Sequence, residues 1–312
     1  MNGQCEAAIS VIICLTPGKS RRAMQMTCGC LSRGLQSLHH ITEIMNTKSI
    51  QISPDCTMQY SDVGQGSPVV LLHAFPLSCE AWAPQIEALQ ENFRVIAPSQ
   101  RGFGGTSPFV GTPSIAQMAD DVAALLDALE VSEPVTLGGL SMGGYVSLNF
   151  ARKYPERLRG LLLCDTKAEG DTPEAKAKRG EMIEFAGTHS TREVVEKLLP
   201  TLTGETTRAQ RPEVVEEVLR IGAANPRDTI IAALQALRDR PDASGWLGSI
   251  NVPALVVVGS EDTITPPAIA QSLAERIPGA TLSVIDGAGH LANMEQPDAF
   301  NDAVGAFLEL LR

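Results

Sequence analysis

Six strand-length runs dominated by apolar residues recur along the chain, at 68–73, 94–98, 135–139, 158–164, 254–259 and 281–285. Each is too short for a core helix, and most are continuously apolar rather than alternating. Such runs suit strands buried on both faces of a parallel sheet. Between them the periodicity becomes helical. After Ser114, which precedes Gln117 by three positions as in a capping box, Ile115, Met118, Ala119, Val122, Leu125, Leu126 and Leu129 fall on one stripe. A final helix is expected from Pro297, with Phe300, Val304, Phe307, Leu308 and Leu311 turned inward. Near the start, 49–53 and 57–60 alternate as an antiparallel pair of strands does. Strand and helix taking turns in this way predict an α/β fold, a mostly parallel sheet flanked by helices on both faces.

One interval breaks the rhythm. About 90 residues separate Cys164 from Ala254, several times what one crossover needs. Helical patterns near 173–186, 191–199, 212–221 and 227–237 predict an inserted helical cap over about 167–250. Such an insertion belongs over the carboxyl ends of the strands, where open parallel sheets bind ligands. Residues 1–44 show no sustained periodicity, and their apolar stretch 7–15 precedes Lys19, Arg21 and Arg22, the reverse of a secretory signal. They are expected to form a disordered extension. The folded domain is expected over 45–312, with Met45 as a natural start.

Composition narrows the partners. Apolar residues make up 44% of the 312 and charged residues 20%, an ordinary globular balance. No apolar run approaches the ~20 residues of a membrane span, so a soluble chain with no membrane partner is expected. The net charge is -11, and the head carries Lys19, Arg21, Arg22 and Arg33 against Glu6 and Glu43, which leaves the rest more acidic still. Such a body repels phosphate, which argues against nucleic acid. Of seven cysteines, Cys5, Cys14, Cys28 and Cys30 lie in the head, while Cys56, Cys79 and Cys164 are scattered. This usage predicts a reduced, cytoplasmic protein. Cys28-Gly-Cys30 lacks a second Cys/His pair at metal-binding spacing, so no metal is expected. Oligomeric state leaves no signature in the sequence.

The chemistry centres on Gly139-Leu-Ser141-Met-Gly143, which follows one predicted strand and opens a helix through Tyr145, Leu148 and Ala151. A sharp strand-to-helix turn of this kind holds its serine in a strained, exposed conformation, and the glycines let the two backbones approach. A serine hydroxyl needs a base. Of five histidines, His39 and His40 lie in the head, His189 in the polar cap, and His73 at the end of a buried strand in a structural role. His290, in Asp286-Gly-Ala-Gly-His290 after the last strand, is the expected base. Asp262 is the expected acid, in the chain order Ser141, Asp262, His290, with Asp165 and Glu261 as alternatives. Two backbone amides are expected to hold an oxyanion, those of Met142 and of Phe75 in His73-Ala-Phe-Pro76. Phe75, Met142, Leu291 and Trp246 are the expected substrate contacts, and Phe185, Leu198, Leu202 and Trp246 the cap residues that shape the pocket.

Together these segments resemble the α/β-hydrolase superfamily over essentially the whole of 45–312. The motifs are His73-Ala-Phe-Pro76, Arg101-Gly-Phe-Gly-Gly105, Gly139 to Gly143, Gly259-x-x-Asp262-x-x-Thr265-Pro266 and Gly287-x-Gly-His290. Within it the chain is similar to the small capped esterases and lactonases grouped with the 3-oxoadipate enol-lactonases. The resemblance implies a cofactor-free enzyme acting on a small-molecule ester or lactone. Perhydrolases and cofactor-free haloperoxidases share a similar core and form one alternative; a slow-turnover ligand receptor forms another. Two positions depart from the family: Ala74 stands where glycine is usual and Ser99 where aspartate is common. Haloalkane dehalogenases of this fold use an aspartate nucleophile, and Ser141 argues against that chemistry.

Overall fold

The computed structural model describes residues 45–312; the expectation for 1–44 lies outside the described residues. The eight strands are β1 (Lys48–Ser53), β2 (Cys56–Val63), β3 (Pro68–Leu72), β4 (Arg94–Pro98), β5 (Val135–Leu140), β6 (Leu158–Cys164), β7 (Ala254–Gly259) and β8 (Thr281–Ile285). They form one sheet in the order β1-β2-β4-β3-β5-β6-β7-β8. β2 runs antiparallel to β1 and β4; the remaining pairs are parallel. Every residue of β3, β5 and β7 is buried, which explains their unbroken apolar sequence. β8, at the edge, buries only Ile285 fully.

Outside the long insertion the helices are α1 (Ala83–Leu89), α2 (Ile115–Ala128), α3 (Met142–Lys153), α9 (Pro267–Arg276), the single turn α10 (Ala292–Glu295) and α11 (Pro297–Glu309). α2 starts where the sequence indicates, the Ser114 hydroxyl accepting the Gln117 amide at 3.1 Å. That cap contributes about 1 kcal/mol. Its buried stripe of Ile115, Met118, Val122, Leu125 and Leu126 contributes about 1.5–3 kcal/mol for each large side chain, so packing decides how the helix lies.

The chain passes from β3 to β4 on one side, then returns across β3 to β5 and continues to β6 on the other. Right-handed crossovers in opposite directions put α1 and α3 on opposite faces of the sheet. Accordingly α1 packs with α11, and α3 with α2. The reversal opens a crevice at the carboxyl ends of β3 and β5, the position at which open sheets bind ligands.

Between β6 and β7 lie α4 (Pro173–Thr188), α5 (Thr191–Leu202), α6 (Glu205–Gln210), α7 (Pro212–Ala223) and α8 (Arg227–Arg238). Four of these match the periodic stretches in the sequence. α6 does not: its Glu-Thr-Thr-Arg-Ala-Gln has no apolar stripe, and a polar tether described below accompanies it. α4 packs on α8, and α5 on α7. No helix of the described residues is long and apolar enough to cross a membrane.

Candidate active site

The turn from β5 into α3 places Ser141 at φ 53°, ψ -108°, a conformation that L residues rarely adopt. Two glycines make it buildable. A Cβ on Gly139 would lie 2.2 Å from the carbonyl oxygen of Gly143, and one on Gly143 would lie 2.1 Å from that of Leu72. The turn is held from the next strand, since the Ser141 amide donates to the Cys164 carbonyl at 2.9 Å and the Thr166 hydroxyl donates to the Ser141 carbonyl at 2.9 Å.

Ser141, His290 and Asp262 come together at the carboxyl ends of β5, β8 and β7. The Ser141 hydroxyl lies 2.7 Å from His290 Nε2, and His290 Nδ1 lies 2.8 Å from Asp262 Oδ2. With Nδ1–H donating to the carboxylate, Nε2 is left as the acceptor for the serine proton. Asp262 is itself pinned: Oδ1 accepts the amides of Ile264 at 2.8 Å and Thr265 at 3.0 Å, and Oδ2 accepts the Thr265 hydroxyl at 2.6 Å. Burial works against its charge, but the neighbouring His290 and the hydrogen bonds from His290 and Thr265 outweigh it and bring the pKa down to about 2. The acid is therefore an anion at any neutral pH.

The two alternative acids point elsewhere. Asp165, at the end of β6, accepts the Gly259 amide at 2.8 Å. Burial and the Asp262 charge push its carboxyl well above the usual range. Glu261 faces α6, accepting the Thr206 amide at 2.9 Å and hydroxyl at 2.5 Å. His73 is structural, as expected: Nδ1–H donates to the Ala74 carbonyl at 3.0 Å and Nε2 accepts the Gln100 amide at 2.9 Å. Burial depresses its pKa to about 4, so both bonds are those of a neutral ring.

The amide of Met142 is the first of α3, where the helix supplies no acceptor. The Phe75 amide likewise donates to no protein acceptor among the described residues. A cavity of about 270 Å³ opens over Ser141 and His290, lined by Phe75 and Tyr145 below and by Met182, Leu198, Leu202 and Leu234 of the inserted helices. Two expected contacts are corrected here. Trp246 is not on this cavity, because its indole N–H turns to the Leu148 carbonyl at 3.4 Å and Arg152 covers its ring at 4.4 Å. Leu291 is 1% exposed and also off the cavity; its amide donates to Glu295 Oε1 at 3.0 Å, and its carbonyl accepts the amides of Met294 at 2.8 Å and Glu295 at 3.0 Å. The Met142 side chain is buried and does not line the cavity. Of the cap residues expected to shape the pocket, Leu198 and Leu202 do so. Phe185 instead stacks on His189 with ring centroids 3.7 Å apart.

Sequence reasoning missed the stretch of α4 that faces Ser141. Ala175, Lys178, Arg179 and Met182 line the cavity at spacings of three, one and three, a single helical face. The spacing was present in the sequence, but its two charges disguised it as a solvated surface.

Comparison with known proteins agrees with this architecture. Residues 67–297 match a family described as alpha/beta hydrolase fold. The 3-oxoadipate enol-lactonase 2 of Acinetobacter baylyi is 30% identical over 275 residues, covering 85% of this chain and 98% of its own. A malate-bound thermophilic esterase from Thermogutta terrifontis is 39% identical with a TM-score of 0.80, over 85% of this chain and 98% of that one. The enol-lactonase from Burkholderia xenovorans is 27% identical with a TM-score of 0.77, over 84% and 100%.

Proposed function

The chain belongs to the α/β-hydrolase family, and from that premise we propose that it is a serine hydrolase cleaving a carboxylic ester or lactone through an acyl-enzyme. One observation carries the reading: the continuous relay from Ser141 Oγ to His290 Nε2, 2.7 Å, and from His290 Nδ1 to Asp262 Oδ2, 2.8 Å. Likeness to an esterase and to enol-lactonases supports the substrate class.

In this mechanism Ser141 Oγ attacks the carbonyl carbon as its proton passes to His290 Nε2, and Asp262 stabilises the imidazolium. The amides of Met142 and Phe75 hold the oxyanion. Collapse breaks the bond to the alkoxy oxygen, which takes the proton from His290; in a lactone the new hydroxyl stays on the acyl chain. Water then gives a proton to His290 and attacks the acyl carbon. The second collapse frees the acid and returns the proton to Ser141. Every step uses groups of this chain, and the reading requires no cofactor.

Helices α4 to α8 act in this reading as a cap that shields the acyl-enzyme. Cys56, Cys79 and Cys164 are free and buried, which supports a reduced, cytoplasmic setting. The test is turnover of p-nitrophenyl esters and small lactones by the wild type and by Ser141→Ala, with folding checked by circular dichroism. A folded variant should lose about 10⁴-fold or more in kcat; one that kept its rate would overturn the reading. Peracid formation from added peroxide, measured alongside, separates a perhydrolase from a hydrolase.

A further inference from the structure

Where β6 ends, three consecutive residues hold the turns that carry the relay. The Cys164 carbonyl accepts the Ser141 amide and the Thr166 hydroxyl donates to the Ser141 carbonyl, each at 2.9 Å. Asp165, between them, reaches the other two members. Its Oδ1 accepts the Gly259 amide at 2.8 Å, and Gly259 is the point at which the loops of Asp262 and His290 touch. The Gly259 carbonyl accepts the Asp262 amide at 3.2 Å, and the Glu261 amide donates to the Ala288 carbonyl at 2.8 Å. A Cβ on Gly259 would lie 2.1 Å from the carbonyl oxygen of Gly289, the residue before His290.

The carboxyl that makes this tie takes no part in the reaction, and asparagine would suit the φ of 45° and make the same bond without an ionisable group. Asp165 is 0% exposed, and its Oδ2 is buried with no hydrogen-bond partner among the described residues. An orphaned oxygen is far costlier on a carboxylate than on a neutral acid. The charged groups acting on it are Asp262 after β7 and Glu295 of α10, with Cys164 its neighbour on β6 and His290 beyond Asp262. Asp262 commands His290, the Thr265 hydroxyl and two amides. Asp165 has only the Gly259 and Ala292 amides against burial and two carboxylates. Of two adjoining acids so unequally served, one takes the charge and the other the proton.

We propose that Asp165 is a positioning residue of the relay, a carboxylic acid that keeps its proton while it ties the end of β6 to the junction of the Asp262 and His290 loops. Uncharged, it adds no second anion that would hold the base protonated to higher pH. The positioning role deepens the serine hydrolase reading and rests on it; the protonation does not.

The test uses the full chain. A difference infrared spectrum of wild type minus Asp165→Asn at neutral pH should contain the carbonyl stretch of a protonated carboxylic acid; carboxylate bands in its place overturn the proposal. Asp165→Gly tolerates the backbone conformation and removes the tie, so kcat for a p-nitrophenyl ester should fall by about tenfold or more with KM within about twofold. Asp165→Asn restores the acceptor and should recover kcat to within about threefold of the wild type. It should also leave the acid limb of kcat/KM in place to about 0.3 pH unit, whereas loss of an anion would move that limb down by about one unit. A folded Asp165→Gly with the wild-type rate, an Asp165→Asn as slow as Asp165→Gly, or a limb displaced in Asp165→Asn overturns the proposal. Should Asp165→Gly fail to fold, the spectrum and the acid limb of Asp165→Asn decide. Turnover of no ester, or a Ser141→Ala variant as fast as the wild type, would instead bring down the hydrolase reading, and the spectrum would still decide where the proton lies.

Discussion

His73 and Asp262 are both buried and titratable, and acid treats them differently. Asp262 keeps its charge because His290 and Thr265 hold it down. His73 keeps neutral because burial moves its pKa from 6.5 to about 4. In the unfolded chain the histidine regains its ordinary value, so protons bind the unfolded state first. Its contribution to stability is complete above about pH 6.5, is lost as pH falls toward 4, and changes no further below. Between pH 7 and 4.5 this amounts to about 2–3 kcal/mol. Urea unfolding of His73→Gln at the two pH values should show an acid loss smaller by that amount than in the wild type. Single residues of the site were legible where geometry forces identity: Ser141 by the glycines around it, His290 and Asp262 by their places after successive strands. Trp246 was misjudged because an aromatic residue in the inserted segment signals burial without saying against what, and here the partner is Arg152.

Among elements, the inserted helices are fastened to the loops that carry the chemistry. Asn225, between α7 and α8, donates to the Pro76 carbonyl at 2.9 Å and accepts the Gly104 amide at 2.9 Å, so it holds the loop of Phe75. Thr206 of α6 grips Glu261, next to Asp262. The buried Glu295 accepts the Gly204 amide at 2.7 Å and the Leu291 amide at 3.0 Å, bracketing the residue after His290. Asn225→Ala should cost about 1–3 kcal/mol by leaving these groups unpaired. It should also lower kcat by about tenfold with little change in KM, since it loosens an oxyanion donor and spares the cavity wall; steady-state kinetics and a melting curve check both. The sheet was legible because buried parallel strands must be continuously apolar. α6 and the inward face of α4 were not, because polar tethers between distant positions and a charge turned toward a cavity leave no periodic trace.

For the molecule as a whole, the described core, the Ser141–His290–Asp262 relay and the cavity all lie within 45–312. We propose that a chain beginning at Met45 is sufficient. It should keep the melting temperature of the full chain within a few degrees and kcat/KM within about twofold; aggregation or loss of turnover would refute this. The overall architecture was legible because alternating strands and helices admit few topologies. Partition of charge between exterior and cavity was not, since net charge says nothing of where each ion lies. The interlocked glycines at Ser141 bear on this chain's lineage. Neither can gain one carbon without driving it into neighbouring backbone, so descendants inherit the turn unaltered. Selection for a new diet must then work on the roof, where α4, α5 and α8 can exchange side chains without disturbing the inherited hinge of the chemistry.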